Sequence, residues 1–395
     1  MTTMTSPPKT TTSQIPEAML ERFRERADAH DRDNTYFHAD LEELRAIGYL
    51  ASDVPVHHGG WGLSLAELGR SQRRLARYAP ATALATTMHL YWTGMAGDLE
   101  RFGDDSAAWI MDAAVNGEIF ASGHAEAGND LPILFSTCAA ERVDGGYRLT
   151  GRKMFGSNGP VWDWLGGHAM TVDGGGPQIV HFFLARGSEG VTVLENWDTL
   201  GMRASQSYDT VLDGAFVPDE RIGRVVPAGD DSDLFLAATQ MWALPTIANV
   251  YLGIAERALE VAVAWAKRKT SIGIDRGSYA HNPFVQHQVA EMYLELDAAT
   301  AVLDRLVDDW MTGVDHGAAW GAKIFAMKWR VVESAKKVVD TALDVTGGAG
   351  MIRGNELERL YRDVRCGGFH PANDALAHEM IGKTALGIGA EPPRW

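Results

Sequence analysis

From residue 15 to about residue 117 apolar side chains recur every third or fourth position, as in the run from Leu65 to Tyr78, with breaks at His58-Gly59-Gly60 and Gly103-Asp104. That spacing puts the apolar positions on one face of a helix, so a helical domain is predicted over 15–117. Between 118 and 227 the texture changes to short β-branched or aromatic runs, among them Tyr147 to Thr150, Ile179 to Leu184 and Thr210 to Leu212. Gly and Asp turns at Asp144-Gly145-Gly146 and Asp173 to Gly176 separate them, which predicts a middle β-domain. From 228 to 395 the helical pattern returns. Val285, Val289, Met292, Leu296, Ala299, Leu303, Leu306 and Trp310 follow in steps of four and three and form one apolar stripe, the mark of a bundle core. Residues 1–14, rich in Thr, Ser and Pro, have almost nothing to bury and are expected to be disordered. The fold class read from periodicity is α+β and mostly α: helices, a β-domain, then a C-terminal four-helix bundle.

Composition narrows the function. The 395 residues carry 36 basic and 52 acidic side chains, a net charge of −16 without a Lys/Arg block, which argues against nucleic acid as a partner. No apolar run is long enough for a membrane span, and the N-terminus has no apolar signal core. Two cysteines, Cys138 and Cys366, do not make a disulfide framework, so a cytoplasmic location is expected. Walker, Gly-x-Ser-x-Gly and His-Glu-x-x-His signatures are absent and the 13 histidines are scattered, so no metal site is expected.

Several strings, in order, carry a resemblance: Ala127-Gly128-Asn129-Asp130; Leu149-Thr150-Gly151-Arg152-Lys153-Met154-Phe155-Gly156-Ser157-Asn158-Gly159; Leu200-Gly201-Met202-Arg203-Ala204-Ser205; and Gly347-Gly348-Ala349-Gly350 followed by Leu360-Tyr361-Arg362-Asp363. With the order of domains, they make the chain similar to the acyl-CoA dehydrogenase superfamily of flavoproteins over residues 17 to 390. The resemblance implies that Ser122, His124, Phe155 and Ser157 surround the flavin ring, which needs hydrogen-bond donors at its pyrimidine edge and an aromatic or apolar face. It also implies cofactor roles for Arg203, Arg268, Gln286, Gly347 and Gly348, the last group reaching the flavin of a neighbouring subunit in a homodimer or homotetramer. FAD is the cofactor so implied. Asp344, standing where the usual Gln precedes the Gly-Gly pair, leaves FMN open.

The same resemblance implies a glutamate base for removing an α-proton from an acyl thioester. Its two familiar places are taken by Pro371 and Ala243. Two enzymatic readings follow. The first is α,β-dehydrogenation of an acyl thioester, with reoxidation by an electron-transferring flavoprotein and with His370, Glu126 and Asp130 as candidate catalytic groups. The second is a two-component flavin monooxygenase for N-, S- or C-hydroxylation, which uses O2 and a flavin reductase, with Trp92 and Trp242 lining a dry substrate pocket. The sequence places the first slightly ahead. A third reading, a non-catalytic interaction protein on this scaffold, is opposed by the retained Phe155, Ser157, Arg203 and Arg268.

Overall fold

A computed structural model describes residues 14–173, 175–273 and 277–388; nearly all of the expected disordered tail lies outside the described residues. Five helices come first: α1 (Glu17–Asp33), α2 (His38–Ala46), α3 (Leu65–Ala76), α4 (Pro80–Arg101) and α5 (Ala108–Val115). Their ends follow local chemistry. The Ser64 side chain accepts from the Glu67 amide while the Glu67 carboxylate reaches back to the Ser64 amide, a capping box that starts α3. Proline at the first position of α4 costs no hydrogen bond there.

Eight strands follow: β1 (Phe120–Gly123), β2 (Ala139–Val143), β3 (Gly146–Gly156), β4 (Trp164–Thr171), β5 (Gln178–Ala185), β6 (Val191–Leu194), β7 (Tyr208–Pro218) and β8 (Ile222–Pro227). They form one sheet in the order β6-β7-β3-β2-β4-β5-β8, with β1 added parallel to β4. The chain then returns to helices: α6 (Leu234–Arg268), α7 (Pro283–Met311), α8 (Trp320–Thr346), α9 (Glu356–Arg365) and α10 (Asp374–Leu386).

The predicted stripe on α7 is its buried face. Val285, Met292, Leu296, Ala299, Leu303 and Leu306 are inside, where α7 meets α8 and α6. The long α6 joins the two helical regions, since α3 and α4 pack against it as well. Close approach needs small residues at two points. A Cβ on Gly94 of α4 would stand 2.0 Å from the Trp242 ring, and one on Gly166 of β4 would stand 2.4 Å from Trp92. Both indoles are therefore interlayer packing, and their N–H groups are satisfied, Trp92 by the Ala121 carbonyl at 3.2 Å and Trp242 by Asp98 at 2.7 Å. This corrects their expected place in a substrate pocket: both are buried in the core instead.

Candidate flavin and substrate site

A cavity of about 410 Å³ opens between the sheet, α4, α6, α8 and the turn that follows α9. The ends of β1 and β3 bring Ser122, His124, Phe155 and Ser157 to its wall. These are the four residues expected around the flavin ring. Phe155 has a backbone φ of 58° and remains 54% exposed, its ring edge-on to Trp197 at 6.0 Å. The Ser157 hydroxyl is 2.8 Å from that of Ser207, which is 2.8 Å from that of Ser205, so three hydroxyls form a chain along one side of the cavity. The string Leu200 to Ser205 pointed to this segment; the relay itself depends on Gln206 and Ser207 folding back, which a linear pattern does not show.

His124 leads into a buried row of imidazoles. Its Nδ1 is 3.2 Å from Nδ1 of His168, and the His168 ring stacks on that of His181 at 6.0 Å. Burial, reinforced for His124 by the Lys153 ammonium, lowers the pKa of His124 to about 3, and burial with the charge of its neighbours lowers that of His181 to about 3. The row is neutral at physiological pH. The buried Nε2 of His124 has no hydrogen-bond partner, and the residue lines the cavity. An orphaned polar atom of this kind, beside an aromatic ring and a hydroxyl chain, fits a planar heterocycle with N–H and C=O edges such as a flavin.

Behind this wall lies a closed ionic knot. Glu126 pairs with Lys153 and accepts from the Ser136 hydroxyl at 2.5 Å and the Thr137 amide at 2.7 Å. Burial alone would push its carboxyl up, but Lys153 and these donors win and hold it at about 2. A carboxylate so engaged is a poor base. Asp130 is exposed, and neither residue lines the cavity, so the structure does not bring these two catalytic candidates to the site.

His370 does reach it. The residue lines the cavity, and its Nε2 is 2.8 Å from the Tyr251 hydroxyl. Burial, with the Lys328 ammonium nearby, lowers its pKa to about 3. Tyr251 is buried and its pKa is raised well above the usual value, so the pair holds one imidazole and one phenol, both neutral. The turn carrying His370 is pinned from beneath: Lys328 of α8 donates to the carbonyls of Gly367, His370 and Ala372 at 2.9, 2.8 and 2.9 Å. Tyr251 and Lys328 were missed from the sequence because each is a single polar residue within a long helix, with no local string to mark it.

Both vacated base positions line the cavity, as Ala243 on α6 and Pro371 beside His370. Among the described residues, Asp231 is the only carboxylate on the wall, and it is exposed. Arg203 is tied elsewhere, donating to the Asp31 and Thr199 carbonyls at 2.7 and 2.9 Å and pairing with Asp198 at 2.6 Å. It does not line the cavity. Arg268 is exposed at the end of α6, Gln286 is exposed with its amide on the Ala280 carbonyl at 2.9 Å, and Gly347 and Gly348 form the exposed turn after α8. None of these four lines the cavity of its own chain.

Residues 245–375 match the acyl-CoA dehydrogenase C-terminal domain family. The amino sugar nitrososynthase DnmZ of Streptomyces peucetius is 31% identical over 394 residues, covering 96% of this chain and 95% of its own. The putative acyl-CoA dehydrogenase YdbM of Bacillus subtilis (strain 168) is 29% identical over 370 residues, covering 92% and 93%. KijD3, solved in complex with FMN and dTDP-3-amino-2,3,6-trideoxy-4-keto-3-methyl-D-glucose, superposes with a TM-score of 0.83 at 29% identity over 94% of this chain and 92% of that one.

Proposed function

This chain belongs to the acyl-CoA dehydrogenase superfamily of flavin-dependent oxidoreductases, and within it we propose that the protein is a flavin monooxygenase that oxidises a heteroatom of a small organic substrate. The observation that carries this reading is the pair Ala243 and Pro371: both places for a base against an acyl thioester face the cavity, and both are filled by side chains that cannot take a proton. The order of preference drawn from the sequence is thereby reversed. Bound and reduced, a flavin supplies two electrons to dioxygen, so that one oxygen atom enters the substrate and the other leaves as water.

The chain's own groups have defined tasks. Leu84, Met88, Ile247, Phe325, Leu376 and Met380 keep bulk water out and hold the carbon skeleton of the substrate. Ser157, through Ser207 and Ser205, offers a hydroxyl that can donate or accept at the flavin edge without a change of charge. His370 carries one N–H and one bare nitrogen, and Tyr251 lets it pass a proton to or from the substrate heteroatom. An amine is the first substrate class to test, because relatives at this level of identity act on amino sugars.

We take FMN as the form used, against the FAD expected from Arg268, Gln286 and the Gly-Gly turn. Asp344 puts a carboxylate on the adenosine side, and KijD3 was solved with FMN. A flavin reductase is then the electron partner. A homodimer or homotetramer accounts for the exposed Phe284, Tyr293 and Leu294 on α7, which an isolated chain would leave in water.

Anaerobic mixing of flavin-loaded enzyme with a panel of acyl-CoAs should leave the flavin band unbleached. Supplying reduced FMN and oxygen should give substrate-dependent product with amines or sulfides. Bleaching by any thioester restores the dehydrogenase reading.

A further inference from the structure

Away from the cavity, the turn between α2 and α3 presents two adjacent histidines to one carboxylate. His57 and His58 end a short 3₁₀ turn, and Gly59 follows with φ 102°, a left-handed conformation that closes the turn and leaves both rings on the side of α4. Nε2 of His57 is 3.1 Å from Oε2 of Glu100, and Nε2 of His58 is 2.9 Å from Oε1 of the same side chain, in the last turn of α4. One ligand atom from each of the three residues lies within 4.8 Å of the others. Zinc bonds of about 2.0–2.2 Å to nitrogen and oxygen place tetrahedral ligand atoms about 3.3 Å apart, so the cluster needs only side-chain adjustment from separations of at most 4.8 Å to hold the ion.

The second nitrogen of His58 supports the same arrangement. Its Nδ1 is 3.2 Å from Oδ1 of Asp112 on α5, so a carboxylate orients the ring and holds the Nδ1 proton when Nε2 gives up its own. Nε2, once its proton is displaced from Glu100, is the nitrogen left to a metal, the usual second-sphere pattern of a ligating histidine. The side chains of His58 and Glu100 are 17% and 29% exposed, while that of His57 is 67% exposed, so the cluster is formed in advance and still open to an entering ion.

We propose that His57, His58 and Glu100 bind a divalent first-row transition ion, zinc foremost, with Asp112 orienting His58 and water completing the coordination. Imidazole and carboxylate donors suit zinc better than calcium or magnesium. Binding displaces the Nε2 protons that now face Glu100, and these leave to solvent. The ion would clamp the α2–α3 turn to α4 and α5, away from the flavin cavity, to whose wall none of the four residues belongs. No sequence signature marks the site, because the carboxylate lies 42 residues beyond the histidine pair.

The test is a zinc titration of the full-length, flavin-loaded protein against a chromophoric chelator, with Co²⁺ absorption as a second reading. One ion per chain is expected, with a cobalt spectrum of nitrogen and oxygen ligands and no thiolate band. His58→Ala and Glu100→Gln should weaken binding at least about 100-fold, and Asp112→Asn about 10–100-fold. His57→Ala, at an exposed position that leaves the fold intact, should weaken it at least about 10-fold. The proposal is overturned by a wild-type protein that takes up no zinc at micromolar concentration, or by binding that survives both histidine substitutions, which would place the ion elsewhere.

Discussion

Two groups of histidines in one chain meet opposite fates. Beside the cavity, His124 at the end of β1 leads to His168 and His181, which stack within the sheet, and burial drives their pKa values down. At the surface, His58 stands between Glu100 and Asp112, and hydrogen bonds to these carboxylates outweigh desolvation and raise its pKa. The buried group is a neutral hydrogen-bonding wall. The surface group is a charge-paired cluster suited to a cation. The side chain is the same in both places; the difference lies in whether carboxylates or apolar atoms close around it.

The sharpest break in this contrast comes from the knot behind the buried row. Glu126→Ala leaves the Lys153 ammonium buried without its counter-charge, and a loss of roughly 3–5 kcal/mol is expected from the behaviour of broken buried pairs. Chemical denaturation against wild type measures it, and an unchanged midpoint would show that the pair is not buried as described. Glu126→Ala should also disturb flavin retention only as far as it disturbs folding, since Glu126 does not line the cavity.

His370→Ala should lower turnover by about 10² to 10⁴, the range typical of a lost acid–base group, and cost about 1–3 kcal/mol in stability because the buried Tyr251 hydroxyl loses its partner. Because its pKa lies near 3, no activity limb near pH 6.5 should disappear with the substitution. A limb near pH 6.5 that is lost in His370→Ala would overturn the neutral assignment.

Acid titration separates the two histidine groups by sign. For His124 and His181 the folded pKa is depressed, so the unfolded chain binds more protons below about pH 6.5, and stability falls as pH drops toward 3. Between pH 7 and 5 each should cost about 1–2 kcal/mol. For His58 the folded pKa is raised, so its contribution is full below the unfolded pKa and is lost as pH rises through the folded value. Exposed pairs of this type are worth at most about 1 kcal/mol. Stability profiles of the two variants should therefore depart from wild type at the acid end in opposite directions, His124→Gln gaining relative stability as pH falls and His58→Gln losing it. Parallel profiles would remove the contrast.

The smallest expected effect is in the hydroxyl chain. Ser207→Ala removes the middle member and leaves Ser157 and Ser205 to find other partners, a cost of about 1 kcal/mol in stability. Flavin affinity should weaken in the same variant, and equilibrium dialysis with FMN checks it.

Much was legible before any coordinates. The stripe on α7 follows from apolar spacing alone, because a helix displays every third or fourth residue on one face. Ser122, His124, Phe155 and Ser157 were legible because each sits in a short string whose backbone shape is local, at the end of β1 or β3. Local strings did not show a side chain's partners: Arg203 belongs to a matching motif but is held by Asp31, Asp198 and Thr199, off the cavity wall. Trp92 and Trp242 misled because size and an N–H suit a pocket wall and an interlayer contact equally; the glycines opposite them, on other elements, decided for the core.

What the sequence determined by itself is therefore the set of elements, the family, and those cavity-lining residues held by contiguous chain. What only the tertiary structure decided is every contact between distant segments: Tyr251 meeting His370 across 119 residues, Lys328 pinning the turn 39 to 44 residues on, and Glu100 receiving two histidines. Periodicity reports which face of an element is buried, since burial follows from local spacing. It does not report what that face is buried against, and the charge, tautomer and reach of each functional group depend on that neighbour.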